Sequence, residues 1–318
     1  MDDDGRAIPP GYDGAPAATG RGAHLNVGAK IGGKIAGKIA GKAPERRFED
    51  WHRALAALID ALDAPDFPAR LVHALGALVA FELAAVLVYR GRSRPLNLYD
   101  NFELADAKKG IAAYVENTYV LNPFYQASQK GLSDGVYRIR DLAPDAFFES
   151  EYYKSYRILP KRSEEIGYIT EDWPEGLEEI DIAIALAPDV ISEFSVYRSL
   201  RTRGFADDEL ACLSQVVPVL GALMRRYWAR TGAAKLEASP PDSRVERIFA
   251  DFGAGVLTER EREITQLILR GHSSQSIAFN LGISLGTVKT HRKNAYAKLG
   301  ISSQSELLSL FLRAFQSG

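Results

Sequence analysis

Apolar side chains recur along this chain with two periods, and the switches between them mark out its elements. Helical spacing runs over Trp51–Leu62 and Arg70–Val79. Alternation then predicts strands at Leu83–Tyr89 and Leu96–Phe102, joined by a polar turn that contains Gly91. A helix is expected from Leu104 to about Tyr119 and a shorter one over Phe147–Tyr156. Glu165–Thr170, Ile180–Leu186 and Phe194–Arg201 read as strands, with Ile180, Ile182, Ile184 and Leu186 in clean alternation. Asp207 then caps a helix reaching about Arg230. Helices, an antiparallel sheet and a closing helix make an α+β domain over residues 48–232, with helices packed on a central sheet. Leu71–Tyr89 is the most apolar stretch, but His73 and Glu82 interrupt it and its period changes midway. It reads as a helix followed by a strand, not as a membrane span.

The last part of the chain follows a helical period, with a start or stop signal at every joint. Thr258 and Glu261 form a capping box, and Gly271 can take the left-handed turn that ends the helix they open. Ser274 is placed to cap a second helix with Ile277, Ala278 and Leu281 inward, and Gly282 stops it. Ser284 caps a third helix that runs to about Leu299, with Gly300 as its stop. Ser303 and Glu306 are a further capping box, opening a fourth helix through Leu307, Leu308, Phe311, Leu312 and Phe315.

Two helices joined by a short Gly-containing turn form a helix-turn-helix. On the third helix Val288, Ala295 and Leu299 share the inward face. Gly286, Thr290, Lys293 and Ala297 share the outward face, with Lys289 beside them. Small residues let that backbone approach a major groove, and lysines from there reach base edges or phosphates. The alternative is a solvated polar face on a helical bundle. Charge favours DNA: residues 255–318 carry eight Lys/Arg against four Glu, a net of +4. The whole chain is −2, which leaves −6 for the remainder.

These residues resemble the LuxR-type helix-turn-helix domain of bacterial transcription regulators. The family's opening pattern appears as Leu257, Thr258, Arg260, Glu261 and Glu263. Its core appears as Gly271, Ile277, Ala278, Leu281, Ile283, Ser284, Thr287, Val288, Lys289, His291, Lys298 and Leu299. The resemblance implies a DNA surface drawn from Ser274, Gln275, Ser284, Thr287, Lys289, Thr290, Arg292 and Lys293. It also implies a fourth helix that serves as a dimer surface. Ser276 and Gln304 depart from the pattern, standing where the family has Glu and Arg. The element order upstream is similar to GAF or PAS-like domains and to the ligand-binding domain common in LuxR-type regulators.

Composition limits the remaining chemistry. The chain has 318 residues, 46% hydrophobic and 25% charged, enough for two domains with cores. The start, Met1-Asp2-Asp3-Asp4, has no apolar run, so no signal peptide is expected. Residues 1–47 are rich in Gly, Ala, Pro and Lys and are expected to form a disordered tail. The tetrads from Val27 to Lys42 (VGAK, IGGK, IAGK, IAGK) would stack lysines on one face if helical, suiting phosphates or an anionic membrane. Residues 233–254, with Ser239-Pro240-Pro241-Asp242, read as a linker before the DNA module at 255–318. The single Cys212 excludes an internal disulfide and suits a reducing cytoplasm, and beside Leu213, Val216 and Val217 it reads as an inert thiol. Five scattered His give no ligand spacing, so neither metal nor cofactor is expected. No nucleophile–base pair or phosphate loop points to an enzyme.

Ten aromatics fall between Tyr114 and Tyr156. A cavity among Tyr114, Tyr119, Phe124, Tyr125, Tyr152 and Tyr156 could take a small organic ligand. Ordinary packing with a protein-interaction or dimerisation surface is the competing reading. Arg138, Arg140, Arg157, Lys161 and Arg162 flank these aromatics; they could meet a ligand carboxylate, but singly each reads as solvated surface. Tyr114, Tyr119, Asn122 and Pro123 echo the acyl-homoserine-lactone subclass of the resembled family, with Asn for its Asp, so such a signal is open but not favoured. No phosphoreceiver pattern is present. The sequence thus predicts a cytoplasmic, ligand-controlled transcription regulator. Its expected partners are a palindromic duplex operator and a second copy of itself, with no stable membrane association.

Overall fold

The computed structural model describes residues 44–102, 105–157, 177–199, 204–238 and 242–315. The lysine tetrads at 27–42, the strand expected at Glu165–Thr170, and Lys161 and Arg162 lie outside these residues.

Helices α1 (Pro44–Asp60) and α2 (Phe67–Leu75) precede a hairpin of β1 (Leu83–Arg90) and β2 (Leu96–Asp100). Gly91 turns the hairpin at φ 48°. Helix α3 (Ala105–Ala113) continues as a π-turn over Tyr114–Thr118 and a 3-10 turn over Tyr119–Leu121. Three elements follow that alternation did not reveal: α4 (Pro123–Ser128), β3 (Gly135–Arg138) and the one-turn α5 (Ile139–Leu142). They are too short to show a period. A 3-10 turn at Phe147–Glu149 leads into α6 (Glu151–Arg157), and β4 (Leu177–Ala187) and β5 (Val190–Ser199) complete the sheet.

The sheet is antiparallel throughout, in the order β2-β1-β5-β4-β3. Register assigns its two faces, because successive side chains point to opposite sides. Ala84, Val86, Val88, Ile180, Ile182, Ile184, Phe194 and Val196 pack on α1, α2 and the long helix α7 (Asp207–Ala238) as one core. Phe67 and Tyr227 stack there at 5.0 Å. Residues of the other register, including Ala85, Leu87, Tyr89, Asp181, Ala183, Glu193 and Ser195, face the α3–α4 segment.

Two sequence expectations change here. Helix α7 continues past Arg230 to Ala238, and much of the remaining stretch before the DNA module is helix α8 (Arg244–Asp251). Ser239, Pro240 and Pro241 lie outside the described residues. Arg138 is not solvated surface. It is 6% exposed, ion-paired with Glu178 and with Asp207 Oδ1 at 2.8 Å, and donates to the Phe205 carbonyl at 3.0 Å. β3 turns it toward the α7 side, away from the aromatics. Arg140 remains exposed, 3.1 Å from Glu178. Cys212 is half-buried, and burial raises its thiol pKa, which leaves it unactivated.

The carboxy-terminal unit comprises α9 (Glu259–Leu269), α10 (Ser274–Leu281), α11 (Leu285–Leu299) and α12 (Gln304–Ala314). Thr258 and Glu261 close the expected capping box on α9. Gly282 and Gly300 take left-handed stops at φ 62° and 67°. The cap of α10 is Ser273, one residue earlier than expected, because its hydroxyl accepts from the Ser276 amide. At α12 Ser303 accepts from the Glu306 amide, but the Glu306 carboxylate reaches Ser302 instead, so that box is half-formed. Among the described residues no helix is long and apolar enough to cross a membrane.

Candidate functional site

The helix-turn-helix is built from its caps inward. Ile264, Ile268, Ile277, Val288, Ala295, Leu307 and Phe311 are buried between its four helices. Tyr296 is buried as well, a position the inward stripe on α11 did not include. Glu261 braces the unit: its carboxylate accepts from the Thr258 amide at 2.9 Å and from Lys298 Nζ at 2.6 Å. The Lys298 ammonium and the Thr258 amide hold its pKa below the usual carboxylate range. Lys298 thereby braces the unit through Glu261, although its side chain stays partly exposed.

Every residue expected on the outer face of α11 is exposed: Gly286, Lys289, Thr290, Lys293 and Ala297. Thr290 donates to the Gly286 carbonyl at 3.0 Å, and Ser284 and Thr287 share a hydroxyl contact of 2.8 Å at the helix start. Ser274 is half-buried and Gln275 exposed at the start of α10. Arg292 lies over the Tyr296 ring at 5.2 Å, which orients its guanidinium along the helix. His291 is half-buried. Ser276, standing where the resembled family has Glu, hydrogen-bonds His272 Nδ1 at 2.8 Å, so the polar tie survives with a shorter side chain.

The α+β domain holds this module from the side away from that face. Asp145 accepts from the Ser273 amide at 2.9 Å and from its hydroxyl, so it secures the cap of α10. Ala146 N donates to the Gly271 carbonyl at 3.1 Å, and Ser305 donates to Glu151 Oε2 at 2.8 Å. Gly271 sits at φ 90°, and an added Cβ would stand 2.6 Å from Phe147 Cα. The apolar residues Leu307, Leu308 and Phe311 of α12 are turned inward; Phe311 packs edge-on against Phe249 and Phe252 of the α8 region.

Tyr114, Tyr119, Phe124, Tyr125 and Tyr152 share one buried cluster, but their polar partners differ. Tyr114 sits under the sheet, its hydroxyl 2.6 Å from that of Tyr89. Tyr119, Phe124 and Tyr125 are wholly buried beside Tyr89, but Tyr125 donates to Glu246 Oε1 of α8 at 2.5 Å, which ties the group to the interdomain seam. Burial, joined by the Glu246 carboxylate, raises the pKa of both tyrosines. Tyr152 packs with Phe147 in the same cluster, and the Tyr156 side chain lies outside the described residues. The amide oxygen of Asn122 caps α4 by accepting from Phe124 N at 2.7 Å and Tyr125 N at 3.3 Å.

What the sequence reading missed is the acidic patch on the sheet. Glu179, Asp181 and Glu193 share the face opposite the Ile180–Leu186 stripe. Alternation was visible there only as polar partners of an apolar stripe, and such partners ordinarily face water.

A capped helix-turn-helix with an exposed basic face, docked on an α+β domain, defines a DNA-binding transcription regulator. The family model described as "Bacterial regulatory proteins, luxR family" matches residues 255–311. The chain is 30% identical over 197 residues to a putative HTH-type transcriptional regulator of Aeromonas salmonicida, covering 60% of this chain and 93% of that one. The protein belongs to the luxR family of bacterial transcription regulators. The regulatory protein MctR of Rhizobium johnstonii is 48% identical over 56 residues, 18% of this chain and 26% of that protein. Among solved structures, the VqsR LBD domain of Pseudomonas aeruginosa aligns at a TM-score of 0.45 with 24% identity, covering 56% of this chain and 95% of that one.

Proposed function

We propose that residues 255–318 read a palindromic operator as a dimer, with α11 in the major groove and half-sites about one helical turn apart. In this reading Lys289, Thr290 and Lys293 meet base edges, and the two lysines also neutralise the flanking phosphates. Ser274, Gln275, Ser284, Thr287 and Arg292 meet the backbone around them. The observation that carries it is the exposed outer face of α11, which holds cations and small residues and no acidic side chain. The test is fluorescence anisotropy on a selected operator across a salt series. Replacing Lys289 and Lys293 by Ala should weaken binding and lower the log–log salt slope by about 2, at roughly 0.9 per lost phosphate contact. An unchanged slope and affinity would remove both lysines from the interface.

Residues 48–232 act in this proposal as a cytoplasmic small-molecule sensor joined to the DNA module through 233–254. Burial supports sensing over a flat interaction surface: Tyr114, Tyr119, Phe124, Tyr125 and Tyr152 are all buried. The seam through Asp145, Gly271 and Glu151 is the coupling element. A ligand regulates through it only if it binds the docked and released arrangements with different affinity. An acyl-homoserine lactone is disfavoured, because the Asn122 side chain already caps α4.

A further inference from the structure

The two faces of the sheet differ in how their buried charges are matched. On the α7 side of the sheet Arg138 pairs with Glu178, and Arg198 is bidentate with Glu209. On the opposite side Asp181 is 0% and Glu193 1% exposed, with Glu179 half-buried beside them. No Lys or Arg pairs with any of the three among the described residues. Neither carboxylate oxygen of Asp181 makes a well-formed hydrogen bond, nor does Glu193 Oε1; the Ser195 hydroxyl beside both only partly offsets their burial.

Register places the three together. Glu179 and Asp181 are alternate residues of β4, about 7 Å apart along the strand. Asp181 opposes Ser195, and Glu193 opposes Ala183, so Asp181 and Glu193 are diagonal neighbours on one face, about 7–8 Å apart. Tyrosines border the patch: Tyr89 donates to Glu193 Oε2 at 2.5 Å and also meets Tyr114, and Tyr197 donates to Glu179 Oε1 at 2.8 Å. Tyr137 opposes Asp181 on β3. Unpaired carboxylates are costly in such an interior, whereas the other face of these strands is filled by Ile, Val and Phe.

We propose that this face of the sheet is the sensor's binding site and that its ligand is an organic amine, whose ammonium group sits at Asp181 between Glu179 and Glu193, with Tyr89, Tyr114 and Tyr197 around it. This rests on the sensing role above and narrows it to a chemical class. The charge demands a cation, and the tyrosine rings add cation–π attraction. No group of acidic, His or Cys side chains among the described residues is arranged to hold a metal ion, which favours an extended organic cation. In its absence, burial raises all three carboxyl pKa values, Glu179 to about 7 and Glu193 to about 8, and neighbouring carboxylates add to the rise at Asp181 and Glu193. Amine binding near neutral pH should therefore release protons.

The test uses the full chain with putrescine and tyramine, each beside its fully N-acetylated neutral counterpart (both nitrogens acetylated in putrescine), and octanoyl-homoserine lactone as a neutral control. Thermal shift and calorimetry in phosphate and Tris buffers are the readouts. At least one amine should stabilise the wild type and release protons, while its acetylated form does neither. Asp181→Asn and Glu193→Gln should fold, retain operator binding and weaken that amine at least tenfold. Failure of every amine, equal binding of an acetylated form, or full affinity in both folded variants overturns the proposal. A response to the neutral lactone alone overturns the amine site and leaves sensing standing. Silence toward all probes counts against both.

Discussion

Glu261 ties the entrance of α9 to the recognition helix, and its loss is calculable. The residue is 3% exposed, with one carboxylate oxygen accepting from the Thr258 amide and from Lys298. Glu261→Ala removes the return arm of the capping box, about 1 kcal/mol on the scale of helix caps. It also removes a charge-assisted contact whose lysine is 40% exposed, so solvent screening holds that loss to about 1 kcal/mol. The sum, about 2 kcal/mol, corresponds to roughly 30-fold faster exchange of amides that open with the unit. Hydrogen exchange read by mass spectrometry on the full chain isolates α9 and α11 from the sensor domain. Glu261→Gln keeps an acceptor for the Thr258 amide and loses only the charge, so about 1 kcal/mol and roughly 5-fold are expected. The folded carboxyl pKa lies below its unfolded value, near 4.3. This stabilisation is therefore complete above that value and is lost as pH falls through the folded pKa. Equal exchange in wild type and Ala variant would refute the brace, and equal effects of Gln and Ala would refute the division between cap and charge.

Other perturbations test the seam and the core. Gly271→Ala places a Cβ against the Phe147 backbone at a left-handed residue, with about 1–2 kcal/mol of strain before the clash is counted. The domains should separate, giving a larger radius of gyration by small-angle scattering; an unchanged profile would show that the seam yields without opening. Asp145→Ala removes both acceptors at Ser273, so amides at the start of α10 should exchange several-fold faster, and unaltered exchange would mean that Ser273 caps the helix unaided. Arg138→Met leaves Glu178 with only the exposed Arg140 and the Phe205 amide, at a cost of about 1–3 kcal/mol, to be seen as a fall in melting temperature. A fall no larger than that of an exposed Arg140→Met control would refute the buried pair.

Local signals made the DNA module legible. Thr258 with Glu261, Gly282, Ser284 and Gly300 act within a few residues of themselves, so their roles are written in the chain order, as is the outward placement of Lys289 and Lys293. The same holds for β1, β2 and β4: the apolar run of β1, buried on both faces, and the alternation of β4 mark strands wherever they lie. Slips of one residue, as from Ser274 to Ser273, arise because neighbouring hydroxyls can both cap and the backbone dihedrals choose between them. α4, β3 and α5 carry too few residues to display a period.

Tertiary structure decided everything that depends on which distant segments meet. Arg138 is a core residue only because α7 brings Asp207 and the Phe205 carbonyl to it. The buried aromatics take their polar partners from distant segments: α8 supplies Glu246 to Tyr125, and the sheet supplies Tyr89 to Tyr114. Glu179, Asp181 and Glu193 look like the solvated side of amphipathic strands, since alternation states that two faces differ but not what covers each. The π-turn and α4, packed over that face, convert an ordinary polar stripe into three buried acids.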